Sequence, residues 1–234
     1  MAVIDLLYPK HCPVCLEALP PGDRLICDAC IPKIRRVEGS VCFKCGKPLS
    51  DETKEFCRDC AKRMPPFIGG IAYAEYSSKY VRRMLSQVKY HLNRQLLDYP
   101  CLDFANRTAG TVRQWQAEAL IPVPVHRSRL RERGYNQAAE IAKRLSEVWE
   151  IPVDDRYLLR TEKTAAQKTL GDSARFMNLL NAFAVPEEAG RYRTVILVDD
   201  IYTTGSTLYA CTKTLQNAGV PAVYTAVLAI GRDR

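Results

Sequence analysis

The residues best placed to do chemistry form a short run near the end of the 234-residue chain. Residues 195–207 read Val-Ile-Leu-Val-Asp-Asp-Ile-Tyr-Thr-Thr-Gly-Ser-Thr. Four aliphatic residues are followed by two carboxylates, then by a turn rich in hydroxyls and glycine. Ligands of open α/β sheets bind at the carboxyl ends of strands. A turn that opens a helix there presents free backbone N–H groups, which favour a phosphate. Thr203, Thr204, Ser206 and Thr207 add hydroxyl donors, and Gly205 lets the backbone approach closely. Two acids beside an anion site make little sense for phosphate alone. They suit a sugar phosphate, with Asp199 and Asp200 accepting from vicinal hydroxyls while the turn holds the phosphate. The same carboxylates suit Mg²⁺, which prefers oxygen donors. A P-loop and a dinucleotide-binding glycine fingerprint are both absent from the sequence.

Cysteine supplies the second group. Eight of the ten cysteines form four C-x-x-C pairs: Cys12/Cys15, Cys27/Cys30, Cys42/Cys45 and Cys57/Cys60. Eleven residues separate the two pairs of each unit, and the units repeat at an offset of thirty residues. Such a period marks a duplicated supersecondary unit. With no export signal evident, thiols in this density point to zinc in a reducing cytoplasm, not to disulfides. Four pairs supply two closed Cys₄ sites, which serve structure more than catalysis. The repeat favours sequential sites, 12/15/27/30 and 42/45/57/60, while an interleaved pairing of 12/15 with 42/45 stays open. Cys101 and Cys211 stand alone and read as small core residues.

The elements around these groups follow from periodicity. Residues 1–10 read as a strand or turn packed on its own domain. Met64-Pro-Pro66 and Gly69-Gly70 divide a zinc-binding module, 1–66, from an α/β domain, 67–234. A strand is expected over 71–76. Helix follows from 77, with Val81, Met84, Leu85, Val88, Leu92, Leu96 and Leu97 at helical spacing and Pro100 as a break. Strands are expected over 119–125, 153–159, 182–185, 194–198 and 221–230, with helices over 136–150 and 206–218. Strands alternating with helices, and a core strand apolar on both faces, predict a parallel sheet flanked by helices. Nothing in the chain predicts membrane insertion.

Charge adds a further hint. The formal net charge is +8. Residues 79–94 hold Lys79, Arg82, Arg83, Lys89 and Arg94 without an acid, and a basic loop over 125–135 holds Arg127, Arg129, Arg131 and Arg133. Arg82, Arg83, Lys89, Arg94 and Arg129 are candidate nucleic-acid contacts, and Tyr80, Tyr90 and Tyr135 could stack on bases.

The run at 195–207 resembles the PRPP (phosphoribosyl pyrophosphate) loop of the type I phosphoribosyltransferases. That resemblance implies that Asp199 and Asp200 hold the ribose hydroxyls of PRPP, as the catalytic acids if the domain is active. It also gives the 5′-phosphate to Thr203, Thr204, Gly205, Ser206 and Thr207. Thr203 stands where the 6-oxopurine enzymes carry Asp, and looks more like the orotate enzymes. A pyrophosphate half-site is implied after the strand at 120–124, at Arg127, Arg131, Arg133 and Gly134. Lys163, Lys168 or Arg175 would close over it.

A narrower resemblance covers almost the whole chain. Leu6-Leu-Tyr-Pro9, the C-x-x-C pairs, Leu85-x-x-x-Lys89-Tyr90, Ile121-Pro-Val-Pro124 and Arg129-Leu-Arg-Glu-Arg-Gly-Tyr-Asn-Gln137 precede the loop in the order seen in the ComF family of bacterial competence proteins. Ser173-Ala-Arg-Phe-Met-Asn178 is a thinner version of a basic stretch of that family. The family implies a cytoplasmic protein that binds PRPP with Mg²⁺ and single-stranded DNA during natural transformation, with a DNA-uptake helicase as a candidate partner. The alternative is an active transferase that moves phosphoribose from PRPP to a nitrogenous base.

Overall fold

The computed structural model describes residues 9–20, 22, 24–91, 93–161, 179–186 and 190–233. The expectations for residues 1–8 and for the stretch with Lys163, Lys168, Arg175 and Asn178 lie outside the described residues.

Four parallel strands form the central sheet: β1 (Gly70–Glu75), β2 (Ala119–Pro122), β5 (Thr194–Tyr202) and β6 (Ala222–Ile230), in the order β1-β6-β5-β2. A short antiparallel pair, β3 (Leu159–Arg160) and β4 (Phe183–Ala184), stands apart from it. Of the strand expected over 153–159, Val153 makes one parallel bridge to Leu120 and Leu159 opens β3, with no strand between them. The chain turns after that bridge, because Asp154 Oδ1 accepts the amides of Arg156 and Tyr157.

Among the described residues the α-helices are α1 (Arg58–Lys62), α2 (Lys79–Tyr90), α3 (Asp98–Trp115), α4 (Arg127–Arg133), α5 (Gln137–Trp149) and α6 (Ser206–Asn217). Val81, Met84, Leu85 and Val88 form the buried stripe of α2, as their spacing predicts. Pro100 does not break a helix; it lies in the first turn of α3, where its missing N–H costs nothing. The basic loop expected over 125–135 is helical through Arg127–Arg133. His126 caps it by accepting from the Ser128 amide, and Gly134 ends it in the left-handed conformation. None of these helices is long and apolar enough to cross a membrane.

Side chains alternate across the sheet and make two core layers. Leu120, Ile196, Val198, Ala226 and Leu228 face the layer of α2, α3 and α5. Ala119, Ile121, Val195, Leu197, Val223 and Val227 face the layer of α6 and the β3–β4 pair. Each fully buried aliphatic side chain contributes roughly 1.5–3 kcal/mol. Cys101 and Cys211 are buried, one in each layer, as expected of small core residues.

The cysteine repeat is built into both layers. Cys12 and Cys30 join the first, and Cys42, Cys45, Cys57 and Cys60 the second. Between the units, the segment around Arg36 pairs antiparallel with β1, with Val37 N–H donating to Tyr73 and Glu75 N–H to Arg35. This covers an edge strand that would otherwise be open. Arg36 then reaches across to α3, donating to Asp103 at 2.6 Å and to the Tyr99 hydroxyl at 2.9 Å.

Candidate functional site

The cysteine sulfurs are gathered in two groups of four. Cys12, Cys15, Cys27 and Cys30 form one and Cys42, Cys45, Cys57 and Cys60 the other, with the sulfurs of each group within 4.8 Å of one another. The sequential arrangement is therefore the one adopted. Tetrahedral zinc with Zn–S bonds of about 2.3 Å places its sulfurs about 3.8 Å apart. Cys15 and Cys27 lie at 3.8 Å and Cys45 and Cys57 at 3.7 Å, which fits. Zinc needs thiolates, and one thiol in the first group is already poised to ionise. Burial opposes ionisation of Cys12, but backbone donors at Cys27, Cys15 and Val14 outweigh it and hold the pKa at about 7. Four protein ligands close each site, so these are structural metals.

β5 does not stop at Val198. It continues to pair with β6 through Asp199 and Ile201 as far as Tyr202. The acid pair therefore belongs to the strand, and the turn begins only at Thr203. Successive strand residues point to opposite faces. Asp200 projects into the layer of Val198, where α2 brings Lys89 Nζ within 2.6 Å of its Oδ2. Asp199 projects into the layer of Leu197, where Cys211 and Arg160 feel its charge. Asp199 Oδ1 also accepts the Asp200 amide at 2.8 Å.

Burial, and then the neighbouring Asp200 charge, push the Asp199 carboxyl well above the usual carboxylate range. The sign of the linkage follows. An acid whose pKa rises on folding costs stability once pH exceeds its unfolded value, because the unfolded chain then sheds the proton more readily. Asp199→Asn keeps the oxygen that accepts the Asp200 amide. It is therefore expected to raise the melting temperature at neutral pH, by about 2–4 °C for each kcal/mol relieved. The gain should vanish as pH falls to about 4. Melting curves at both pH values check this, and a lower melting temperature at pH 7 would count against it.

After Tyr202 the chain reverses through Thr203, Thr204 and Gly205 into α6. Gly205 is the N-cap residue, with φ of 75°, and a side chain there would collide with the ring and hydroxyl of Tyr202. Only glycine fits that position. Thr204 and Ser206 hydroxyls lie 3.0 Å apart at the mouth of the turn. The first amides of a twelve-residue helix open between them, without intrahelical partners. Asp199, Asp200 and the turn residues 203–207 thus share one end of the sheet, with an anion-favouring turn beside two carboxylates.

The arginines expected to hold pyrophosphate are divided by the helix that carries them. Arg127 and Arg131 share one face of α4, Arg129 and Arg133 the other. Arg133 lies over the Tyr90 ring, at 5.4 Å from its centroid, and donates to Gln137. Its Nε is buried with no hydrogen-bond partner among the described residues. Gly134 serves as the helix cap.

The candidate nucleic-acid residues divide as well. Arg82 and Arg83 are exposed on α2, and Arg129 is exposed on α4. Arg94 lies 4.5 Å over the Tyr135 ring and 3.7 Å from Glu140. Lys89, read with Arg82 and Arg83 as one basic strip, is instead half-buried on Asp200. Its place i+4 from buried Leu85 was the available signal. Tyr135 is buried, with its hydroxyl donating to the Val88 carbonyl, and cannot stack on a base. Tyr90 can, since it is 63% exposed.

Arg160 was missed from the sequence. Its guanidinium lies 5.5 Å over Phe183, and its Nε is buried with no partner among the described residues. Burial, and then the nearby Arg129 charge, make its cationic form harder to hold, while Asp199 favours it. Nothing local marks Arg160; its place depends on the β3–β4 pairing.

Comparison with known proteins agrees with this architecture. Residues 3–62 match the double zinc ribbon domain family, and residues 130–234 match the phosphoribosyl transferase domain family. Fold and site thus define a phosphoribosyltransferase-type domain carrying a double zinc ribbon with two Cys₄ zinc sites. Competence protein F of Haemophilus influenzae is 34% identical over 204 residues, covering 85% of this chain and 87% of the relative. The DNA utilization protein YhgH of Escherichia coli is 30% identical over 229 residues, covering 93% and 96%. Competence protein ComFC of Bacillus subtilis is 27% identical over 207 residues, covering 86% and 81%. The chain belongs to the ComF family of competence proteins.

Proposed function

We propose that this chain binds PRPP with Mg²⁺ at the end of β5 and single-stranded DNA on the surface of α2, in the uptake of DNA during natural transformation. The observation that carries the first part is the junction of the acid pair with the glycine-capped turn of α6. The turn suits the 5′-phosphate, and the carboxylates suit the ribose hydroxyls and a hard cation. Lys89 on Asp200 offsets the negative charge of the pair before ligand arrives. The exposed Arg82, Arg83 and Tyr90 support the second part, as does the relationship to proteins named for competence and DNA utilization. A cytoplasmic location belongs to this reading.

One observation favours a second reading, phosphoribosyl transfer. The Arg160 guanidinium feels the charges of both Arg129 and Asp199, so it lies on the Asp199 side of the sheet. A guanidinium there would stabilise departing pyrophosphate while a nitrogen nucleophile forms its bond to C1 of the ribose. Titration with PRPP and Mg²⁺, followed by a pyrophosphate-release assay with a panel of bases, separates the two. Binding without release supports the binding reading, release with any base supports transfer, and no binding removes both.

A further inference from the structure

The two halves of the cysteine repeat touch different machinery. The first zinc group packs in the layer of α2 and α3. The second packs in the layer of α6, the helix opened by the phosphate turn. Gly46, just after Cys45, sits so close to the Gly70 carbonyl that a side chain would not fit, which seats this unit tightly on the start of β1.

Lys47 follows, and it is 2% exposed, an unusual place for a lysine. Its Nζ donates to Asp59 Oδ2 at 2.5 Å. Asp59 lies on α1, between the zinc ligands Cys57 and Cys60. The same ammonium lies 6.0 Å from the centre of the Tyr202 ring. Tyr202 is 3% exposed and shares its buried cluster with all four cysteines of the second group. It is the last residue of β5, and its ring and hydroxyl fill the space beneath Gly205. A continuous line of contacts therefore runs from the second zinc site through Asp59, Lys47 and Tyr202 to the floor of the turn. Among the described residues no hydrogen bond or ion pair joins the first site to Tyr202 or the turn; it packs in the layer of α2 instead.

We infer that Lys47 and Tyr202 are positioning residues for the phosphate turn, and that they tie PRPP affinity to occupancy of the second zinc site and not of the first. This rests on the PRPP-binding reading above. The mechanism is mechanical and electrostatic. Metal loss frees Cys57 and Cys60, and with them the short helix that carries Asp59. A buried ammonium without its carboxylate is costly, so Lys47 leaves its place. Tyr202 then loses one wall, and the turn above it loses its floor. Affinity falls by the fraction of chains whose turn stays competent, about tenfold if one in ten does.

The test is calorimetric titration of the full chain with PRPP and Mg²⁺, with zinc content, melting temperature and oligonucleotide affinity measured on the same samples. The native chain should hold about two zinc ions, and Cys27→Ser and Cys57→Ser about one each. Cys57→Ser is expected to weaken PRPP binding about tenfold or more, and Cys27→Ser less than about twofold. Lys47→Met should keep both metals and its affinity for a single-stranded oligonucleotide, yet lose PRPP affinity about tenfold. A general loss of structure would lower both affinities together. Equal losses in the two cysteine variants, or native PRPP affinity in Lys47→Met, would overturn the inference. If Cys57→Ser does not fold, Lys47→Met decides alone. If the native chain takes no PRPP, the reading of the turn fails and the inference falls with it. Native binding with an unaffected Lys47→Met removes the inference alone.

Discussion

Asp200→Ala is expected to lower PRPP affinity about a hundredfold or more. A carboxylate that accepts hydrogen bonds from ribose hydroxyls contributes about 1.5–3 kcal/mol for each charge-assisted bond. Loss of two such bonds exceeds the ~2.7 kcal/mol that a hundredfold change requires. The substitution also leaves Lys89 half-buried without its partner at 2.6 Å. Lys89→Met provides the complementary measurement. It removes the cation while leaving the acceptor, and should cost about tenfold, because an unpaired Asp200 beside Asp199 resists bringing in a phosphate. Two residues in direct contact should not behave additively, so the double variant should fall short of the sum of the two losses. Calorimetry with PRPP and Mg²⁺ reads all three, with zinc content as the folding control. Native affinity in Asp200→Ala would place the ligand elsewhere.

What the sequence made legible here was local. The acid pair, the hydroxyl-rich turn and the C-x-x-C pairs carry their chemistry in consecutive residues, so spacing alone found them. The parallel sheet was legible because β5 is apolar on both faces and helices alternate with strands. Sequence reasoning ended β5 at Val198, since Asp199 and Asp200 look like turn residues; pairing with β6 overrides that local preference. That extension decides the electrostatics, because it sends the two carboxylates to opposite faces of the sheet. Arg160, Lys47 and Tyr202 were not legible at all. Each owes its place to a partner far away in the chain: Phe183 for Arg160, and Tyr202 for Lys47. The basic segment at 127–133 gave its charge but not its form. Four arginines in a row of seven look like one patch, yet helical geometry divides them between two faces.

That division shapes the expected behaviour with single-stranded DNA, where salt should have a large effect. Neutralising phosphates releases counterions, and for single strands the logarithm of affinity falls with that of salt with a slope of about −0.7 per contact. Arg82 and Arg83 on α2, and Arg129 on α4, are the exposed candidates for such contacts. Lys89 is not one, since it is held on Asp200. With about three phosphate contacts the slope is about −2.1, and affinity drops about twentyfold between 50 and 200 mM salt. Arg82→Ala combined with Arg83→Ala should make the slope shallower by about 1.4 while leaving PRPP binding intact. Tyr90 should act differently. It lies seven residues from Arg83, on the same side of α2, with one face against Arg133 and most of its ring in solvent. A base stacked there contributes about 1–3 kcal/mol without involving counterions. Tyr90→Ala should therefore weaken binding about fivefold to a hundredfold and leave the salt slope unchanged. Fluorescence anisotropy of a labelled oligonucleotide across a salt series reads slope and affinity together. A flat salt dependence, or a Tyr90→Ala variant that alters the slope and not the affinity, would remove α2 as the DNA surface.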